Sequence, residues 1–546
     1  MTEFFRAAET FQGNARQAKD LLLQALAAPE RAQQLVLEDL SRVTALASHW
    51  RSGGADLSTL DTLRRTVPVN GYPGFEDALE SETITKGGIL TTSPVLRWLK
   101  TSGTTGRPKL IPYTQHWMRR YRVPAMLAMW DTFLAACPEI LLHEAATLDT
   151  QTIREQVEPT VHGLSHQAIS NRHPQVDRFD WNPPWYNEPW YGPQVPSSHE
   201  GRSYYRLRYF LGRDLRALTA INPSLILSLR DTLRGSAEAL LRDLHDGTIE
   251  GRPSLLAPQA AEARRLEAVL ARPSFTFRDV WPRLGFSSCW AAAGAEAYLT
   301  RLQELMPRTT FVPFMTCGTE GVVTIPVSAQ LDAQPLALNQ AVYEFVPVTR
   351  DPAEWLGRCE TGTLAPGEVE AGRRYHLVMS QGNGLLRLWT GDVFEVVEVR
   401  HGVPWLRFVE RYGIFHSFTG EKLTHTDVAT AFARTYAEVE GEMLPYLIGP
   451  EWGEVPRYVV LVESRCEASA DRFERTLDRV LANVNIEYAS KRSSGRLRPP
   501  LVRVCPPDTL RLWLEGRRST TNQNQFKFAS HRKSAEFFHE LSEVRS

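Results

Sequence analysis

The sequence predicts a mixed α/β protein of two domains, a large N-terminal one of β-sheets with packed helices and a smaller α+β C-terminal one. Three observations predict it. At 546 residues the chain exceeds the ~100–200 residues of one domain. Apolar residues recur at helical spacing between Ala18 and Ser48 and again near Leu233 to Leu241. Short apolar runs such as Tyr458-Val459-Val460-Leu461-Val462 read as strands between such stretches.

Taken in order, Leu21-Leu22-Leu23, Leu26, Leu35, Val36 and Leu40 give two packed helices. Thr101-Ser102-Gly103-Thr104-Thr105-Gly106-Arg107-Pro108-Lys109 follows, two glycines among small hydroxylated residues and then cations. Gly103 and Gly106 let the backbone approach a ligand, the hydroxyls of Ser102, Thr104 and Thr105 can donate to phosphate oxygens, and Lys109 adds charge. The same composition also makes an ordinary surface turn, and the spacing is not that of a Walker loop. Trp117 to Leu134 reads as a helix carrying Arg119, Arg120 and Arg122. One of these, with Arg120 the candidate, can meet an acidic substrate, and the others belong to a solvated face.

Phe179 to Tyr205 is so rich in Trp, Tyr and Pro that regular helix is excluded. It is either an ordered excursion bordering a substrate entrance or a surface loop pinned by its own rings. Ile221 to Thr248 reads as a strand, Leu225-Ile226-Leu227, and then an amphipathic helix. Ser287 to Gly294 is a run of small residues around Trp290.

Read onward from the loop, the chain resembles the adenylate-forming enzymes, and within them the GH3 family of acyl acid amido synthetases. The resemblance runs from about Leu99 to Lys527 and consists of segments in the family's order. They are the loop with Leu110-Ile111-Pro112-Tyr113-Thr114, then Met315-Thr316-Cys317-Gly318-Thr319-Glu320, then Tyr343-Glu344-Phe345-Val346-Pro347. Gly384-Leu385-Leu386-Arg387-Leu388-Trp389-Thr390-Gly391-Asp392-Val393 follows, then Arg411-Tyr412-Gly413 with Gly420-Glu421-Lys422-Leu423-Thr424, and last Gln525-Phe526-Lys527. Two departures stand out. Thr316 takes the place of an aromatic residue that stacks on adenine, and Leu386, Leu388 and Trp389 replace the Tyr, Tyr and Arg of the usual Tyr-Arg-Tyr-Arg.

The resemblance implies an N-terminal adenylation domain over residues 1–410 and a mobile C-terminal domain over 411–546. It implies that Ser102 to Gly106 hold the β- and γ-phosphates of ATP and that Glu320 binds Mg2+ and serves catalysis. Lys109, Thr316, Thr319, Arg387 and Arg411 would surround the nucleotide, with Asp392 on the ribose hydroxyls, since a carboxylate is a double acceptor. Trp290, Ala293 and Gly294 would line the acid pocket, and Lys527 would swing in to neutralise the α-phosphate and carboxylate. Each residue has a plainer reading. Asp392 can close a turn before a strand, Glu320 can be a solvated acid, and Lys527 lies in a polar basic stretch. Cys317 reads as a small wall residue.

The activity so implied is an acid–amine ligase that forms acyl-AMP and then an amide with an amine or amino acid. The competing readings are a ligase that delivers the acyl group to coenzyme A or a carrier thiol, and a binding protein that has lost catalysis. A net charge of −1 gives no basic surplus for nucleic acid or membrane partners. No apolar run approaches the ~18 residues of a membrane span, and the N-terminus lacks signal-peptide features. Six scattered cysteines suit reduced thiols in the cytoplasm rather than a zinc cluster.

Overall fold

The helical spacing at the N-terminus corresponds to two helices, Thr2–Ala27 and Pro29–Thr44, in the computed structural model. The structure describes residues 2–85, 87–101, 109–142, 147–149, 157–159, 165–168, 183, 199–220, 223–291, 296–330, 332–412, 414–439, 444, 446–464, 470–506 and 509–510. Pro29 starts the second helix, where its missing N–H costs nothing, and Ala32, Val36, Leu37 and Leu40 make its buried stripe. The first helix packs along Val123–Ala136, with the Phe11 and Trp130 rings edge to face at 6.2 Å. Lys19 from that helix, only 7 % exposed, donates to Thr132 Oγ1 and to the Pro326 carbonyl.

The chain divides into two compact units, one ending at Tyr412 and one beginning after it. In the first, Thr310–Pro313, Phe286–Cys289, Ala217–Thr219 and Thr147–Asp149 form a parallel sheet. The strand expected at Leu225-Ile226-Leu227 is helix instead, Pro223–Gly235, and the strand lies earlier at Ala217–Thr219. Three apolar residues in a row do not distinguish the two states; Pro223 opens the helix, and Ile226, Leu229 and Leu233 bury one face at helical spacing. The excursion read at Phe179 to Tyr205 lies mostly outside the described residues.

A five-stranded antiparallel sheet carries two of the family-like segments and the start of a third, in the order Gln334–Pro335, Val403–Arg411, Leu388–Arg400, Arg374–Ser380, Val342–Pro347. Glu344 sits inside its last strand and is 1 % exposed. A bare carboxylate there would be costly. Arg387 meets it, Nε to Oε1 at 2.8 Å and Nη2 to Oε2 at 3.0 Å, a two-pronged pair. The same guanidinium donates to the carbonyls of Arg64 and Val67 and to the hydroxyls of Thr361 and Thr363. Arg387 also holds φ +49, a left-handed position uncommon for any residue but glycine, with its N–H on Ser380 Oγ.

The second unit is a three-stranded sheet, Tyr446–Glu451, Arg457–Glu463 and Leu501–Cys505, packed by His425–Val439 and Ala470–Val484. Phe473, Leu477, Val480 and Leu481 give the last helix its inner face. Glu421, fully buried, accepts from the backbone of Phe418 and Thr419 and from the Tyr458 hydroxyl. No helix among the described residues is long and apolar enough to cross a membrane.

Two stability outcomes follow from these buried charges. Arg387→Met leaves Glu344 only Arg64 Nε, at 3.2 Å, and the Thr363 hydroxyl, and should lower stability by about 2–4 kcal/mol in urea unfolding, while Arg387→Met with Glu344→Leu should recover part of the loss. For Lys19, burial brings the pKa down from 10.5 to about 8 against the pull of Asp131. Between those two values the unfolded chain keeps a proton that the folded chain has released, so unfolding takes up a proton and stability rises with pH. The rise should total about 3 kcal/mol, and Lys19→Met should remove it.

Candidate active site

Hairpin register places the first pair of charges. Strands Leu388–Arg400 and Val403–Arg411 align Asp392 directly opposite Arg411. Asp392 therefore lies within a strand and does not close a turn before one. On its other side the ladder is irregular: His376 to Val378 opposes the longer stretch Val393 to Trp389, and Gly391 takes φ +82 inside that bulge. Such a bulge re-aims the side chain beside it. The result is an ion pair of 3.0 Å from Arg411 Nε to Asp392 Oδ1, with Arg411 Nη2 donating to the Thr390 carbonyl at 2.9 Å.

Glu320 arrives from a different hairpin. Thr316–Cys317 pairs with Val322–Thr324, and the link between them turns through Gly318, whose N–H donates to the Gly321 carbonyl. Thr316 spends its own N–H on Thr324 Oγ1 in this ladder. Gln381 donates its side-chain amide to the Glu320 carbonyl and fixes the turn. The Glu320 carboxylate is 3.7 Å from Arg411 Nη2, and Thr319 Oγ1 donates to it at 3.3 Å.

Lys109 opens the strand Lys109–Thr114 and lies 5.3 Å over the Tyr72 ring, while the Tyr72 hydroxyl accepts from the Leu110 N–H at 2.7 Å. Burial holds the Lys109 pKa below its usual value, and Glu320, Asp392 and Glu76 oppose that only in part. Burial also works against the Arg411 cation, but Asp392 and Glu320 outweigh it and move its pKa upward. The structure thus gathers Lys109, Glu320, Asp392 and Arg411, two cations and two carboxylates, into one cluster. Among the described residues no group of three acidic, His or Cys side chains could cage a metal. One carboxylate, Glu320, fits Mg2+ carried in on nucleotide phosphates, since that ion normally takes one or two protein carboxylates and fills its shell with phosphate and water.

Two expectations are corrected. Arg387 is not a nucleotide contact, because it is fully buried and its guanidinium N–H groups are spent on Glu344, carbonyls and threonines. Arg120 is exposed on the wide π turn Met118–Arg122, within reach of Asp39, and it is Arg122 that is buried. Pro124 forces such a turn, since its ring clashes with the carbonyl four residues back. Helical spacing carried a signal for Arg122: it shares the inner face of Met118, Ala125 and Met129, all buried. Nothing in the sequence marks Tyr72 or Gln381, which reach the site from distant segments. Trp290 is half-buried with its ring 5.4 Å from that of Phe408, and Trp389 packs among Trp355, His376 and Tyr412. Ser102 to Gly106, Ala293, Gly294 and Lys527 lie outside the described residues.

Residues 18–311 match the GH3 family N-terminal domain, residues 334–411 its central domain and residues 426–536 its C-terminal domain. Among curated relatives, an indole-3-acetic acid-amido synthetase of Arabidopsis thaliana, GH3.2, is 21% identical over 73% of this chain and 77% of its own. Another, GH3.8 of Oryza sativa subsp. indica, is 22% identical over 88% of this chain and 84% of its own. Among solved structures, the acyl acid amido synthetase AtGH3.15 in complex with 2,4-DB superposes with a TM-score of 0.62 at 18% identity, covering 97% of this chain and 96% of that one.

A Cβ on residue 318 would stand 2.5 Å from Glu320 Oε2, so Gly318→Ala must displace that carboxylate without changing any charge. It should weaken the magnesium-dependent part of nucleotide binding about tenfold by calorimetry. Unchanged affinity would remove Glu320 from the metal.

Proposed function

Because the chain belongs to the GH3 family, we propose that it is an AMP-forming ligase that activates a carboxylic acid with MgATP and passes the acyl group to an amine or amino acid. The observation that carries this reading is the convergence of Lys109, Glu320, Asp392 and Arg411 from separate family-like segments. Each has a place in the chemistry. Adenylation brings a carboxylate oxygen onto the α-phosphorus while pyrophosphate departs with its electron pair, so two anions must meet. Lys109 and Arg411 supply resident positive charge directed at that point.

Asp392 accepts hydrogen bonds from the ribose hydroxyls, and its pairing with Arg411 fixes its orientation. Glu320 takes the Mg2+ that accompanies the phosphates. Ser102 to Gly106 cradle the β- and γ-phosphates, and Lys527 is delivered by a C-terminal domain, starting near residue 411, that turns between the two steps. The second step needs a neutral amine held against the acyl carbon, which positioning in a closed cleft supplies. Relatives named for indole-3-acetic acid make aryl acids the first substrates to try. Among the described residues Cys137, Cys289, Cys317 and Cys359 are free thiols, which suits work in the cytoplasm.

The test is pyrophosphate release from MgATP across aryl and aliphatic acids, with and without mixed amino acids, for the wild type and Lys527→Ala. We expect acid-dependent release, a fall of about 100-fold or more in the variant, and a new amide by mass spectrometry. A thioester on adding coenzyme A, with no amide, would reassign the protein to the thiol-acylating ligases. ATP binding without pyrophosphate release from any acid would make it a binding protein.

A further inference from the structure

Asp39 is a carboxylate on the buried stripe of the helix Pro29–Thr44, 8 % exposed beside Val36, Leu37 and Leu40. Its Oδ2 accepts from His116 Nε2 at 2.6 Å and from the Tyr121 hydroxyl at 2.5 Å, while Oδ1 faces Arg42 at 3.8 Å. Burial alone would push its pKa up. The hydrogen bonds from His116 and Tyr121, with the charge of Arg120, outweigh burial and hold it below the usual carboxylate value. His116 and Tyr121 are five positions apart in the chain. On a regular α-helix such positions point ~140° away from each other, too far for one oxygen to take both. In a π turn the bond spans five residues, so the fifth returns to the same face. The Val123 N–H on the Met118 carbonyl is such a bond, and the His116 and Tyr121 rings meet edge to face at 5.9 Å. Pro124 forbids the regular register without fixing what replaces it. Asp39 does the fixing, because only the wide turn gives it two charge-assisted hydrogen bonds.

Both residues at the end of that turn bear on Glu320. Arg122 donates Nη1 to the Gly318 carbonyl at 3.2 Å. The Tyr121 ring lies so close to Gly382 that a Cβ there would stand 2.8 Å from it. Gln381, the residue before, donates its amide to the Glu320 carbonyl and would meet a Cβ on residue 321 at 2.1 Å. Resting on the reading in which Glu320 takes the Mg2+ of MgATP, we infer that Asp39 is the positioning residue of the Glu320 turn. It clamps the π turn, and the π turn holds the Glu320 turn at Gly318 through Arg122 and at its far end through Tyr121, Gly382 and Gln381. Without the clamp the helix can shift register, Arg122 leaves Gly318, and the carboxylate loses its fixed aim. Groups one step behind a metal ligand carry about ten- to a hundredfold in metal affinity.

The test uses the full chain with Asp39→Leu, with Tyr121→Phe, and with both. Calorimetric titration with ATP should show a Mg2+ half-saturation raised about tenfold in each single variant, with metal-free ATP binding unchanged. Tyr121→Phe should add nothing once Asp39 is replaced, since both remove one interaction. Cys317 lies on the same turn and meets an Arg122 N–H, so its alkylation by iodoacetamide, followed by mass spectrometry, should quicken severalfold in every variant. Against a Mg2+-dependent wild type, an unchanged half-saturation in Tyr121→Phe, an equal loss of metal-free binding, or additive effects in the double variant would overturn the proposal. Unaccelerated Cys317 labelling would overturn it as well. Where the wild type binds ATP regardless of Mg2+, or binds none, the Glu320 metal reading or the amide synthetase reading fails, and the Cys317 labelling rates alone decide for or against the clamp.

Discussion

The ion pair between Arg387 and Glu344 is the constraint on which the central sheet depends. It joins the chain just before one strand of the site hairpin to the edge strand, two elements far apart in sequence, and reaches back to the carbonyls of Arg64 and Val67. Either charge buried without the other would be costly, and Arg64 Nε supports Glu344 from a third segment at 3.2 Å. With Arg387 anchored at a left-handed backbone position, the strand that begins at Leu388 has a fixed entry, and the bulge around Gly391 follows a few residues on. The Asp392–Arg411 pair then follows from the register of that strand with Val403–Arg411.

From there the site is built by charge compensation. Arg411 bridges two carboxylates that would otherwise repel, Asp392 at 3.0 Å and Glu320 at 3.7 Å. Lys109 adds a cation whose charge burial disfavours, so an anion entering beside it is welcomed more than it would be by a solvated lysine. The cluster therefore favours an anionic ligand beside Lys109.

Much of this was readable in the sequence, and the failures are as instructive as the successes. The segments holding Glu320, Asp392 and Arg411 were legible through their resemblance to the family's motifs in order, whereas read locally Glu320 was a solvated acid and Asp392 the close of a turn. Arg387 looked like part of the same site because it lies only five positions before Asp392. It is instead a core residue, since a partner at Glu344 is invisible to local pattern. Arg120 and Arg122 differ by two positions, yet helical phase and the π turn expose one and bury the other. Leu225 to Leu227 was misread as strand because a short apolar run has no period.

By itself, then, the sequence determined which chemical groups are present, the alternation of helix and strand over most of the chain, and the family those segments resemble. These are local properties, written in spacing and composition. Only the tertiary structure decided which charges meet: Arg387 with Glu344, Arg411 with both Asp392 and Glu320, and Arg122 with the Gly318 carbonyl and the Cys317 thiol in the field of Glu320. The reason is physical. Whether a charge serves the core or a ligand depends on burial and on partners tens to hundreds of residues away, and neither is a property of its neighbours in sequence.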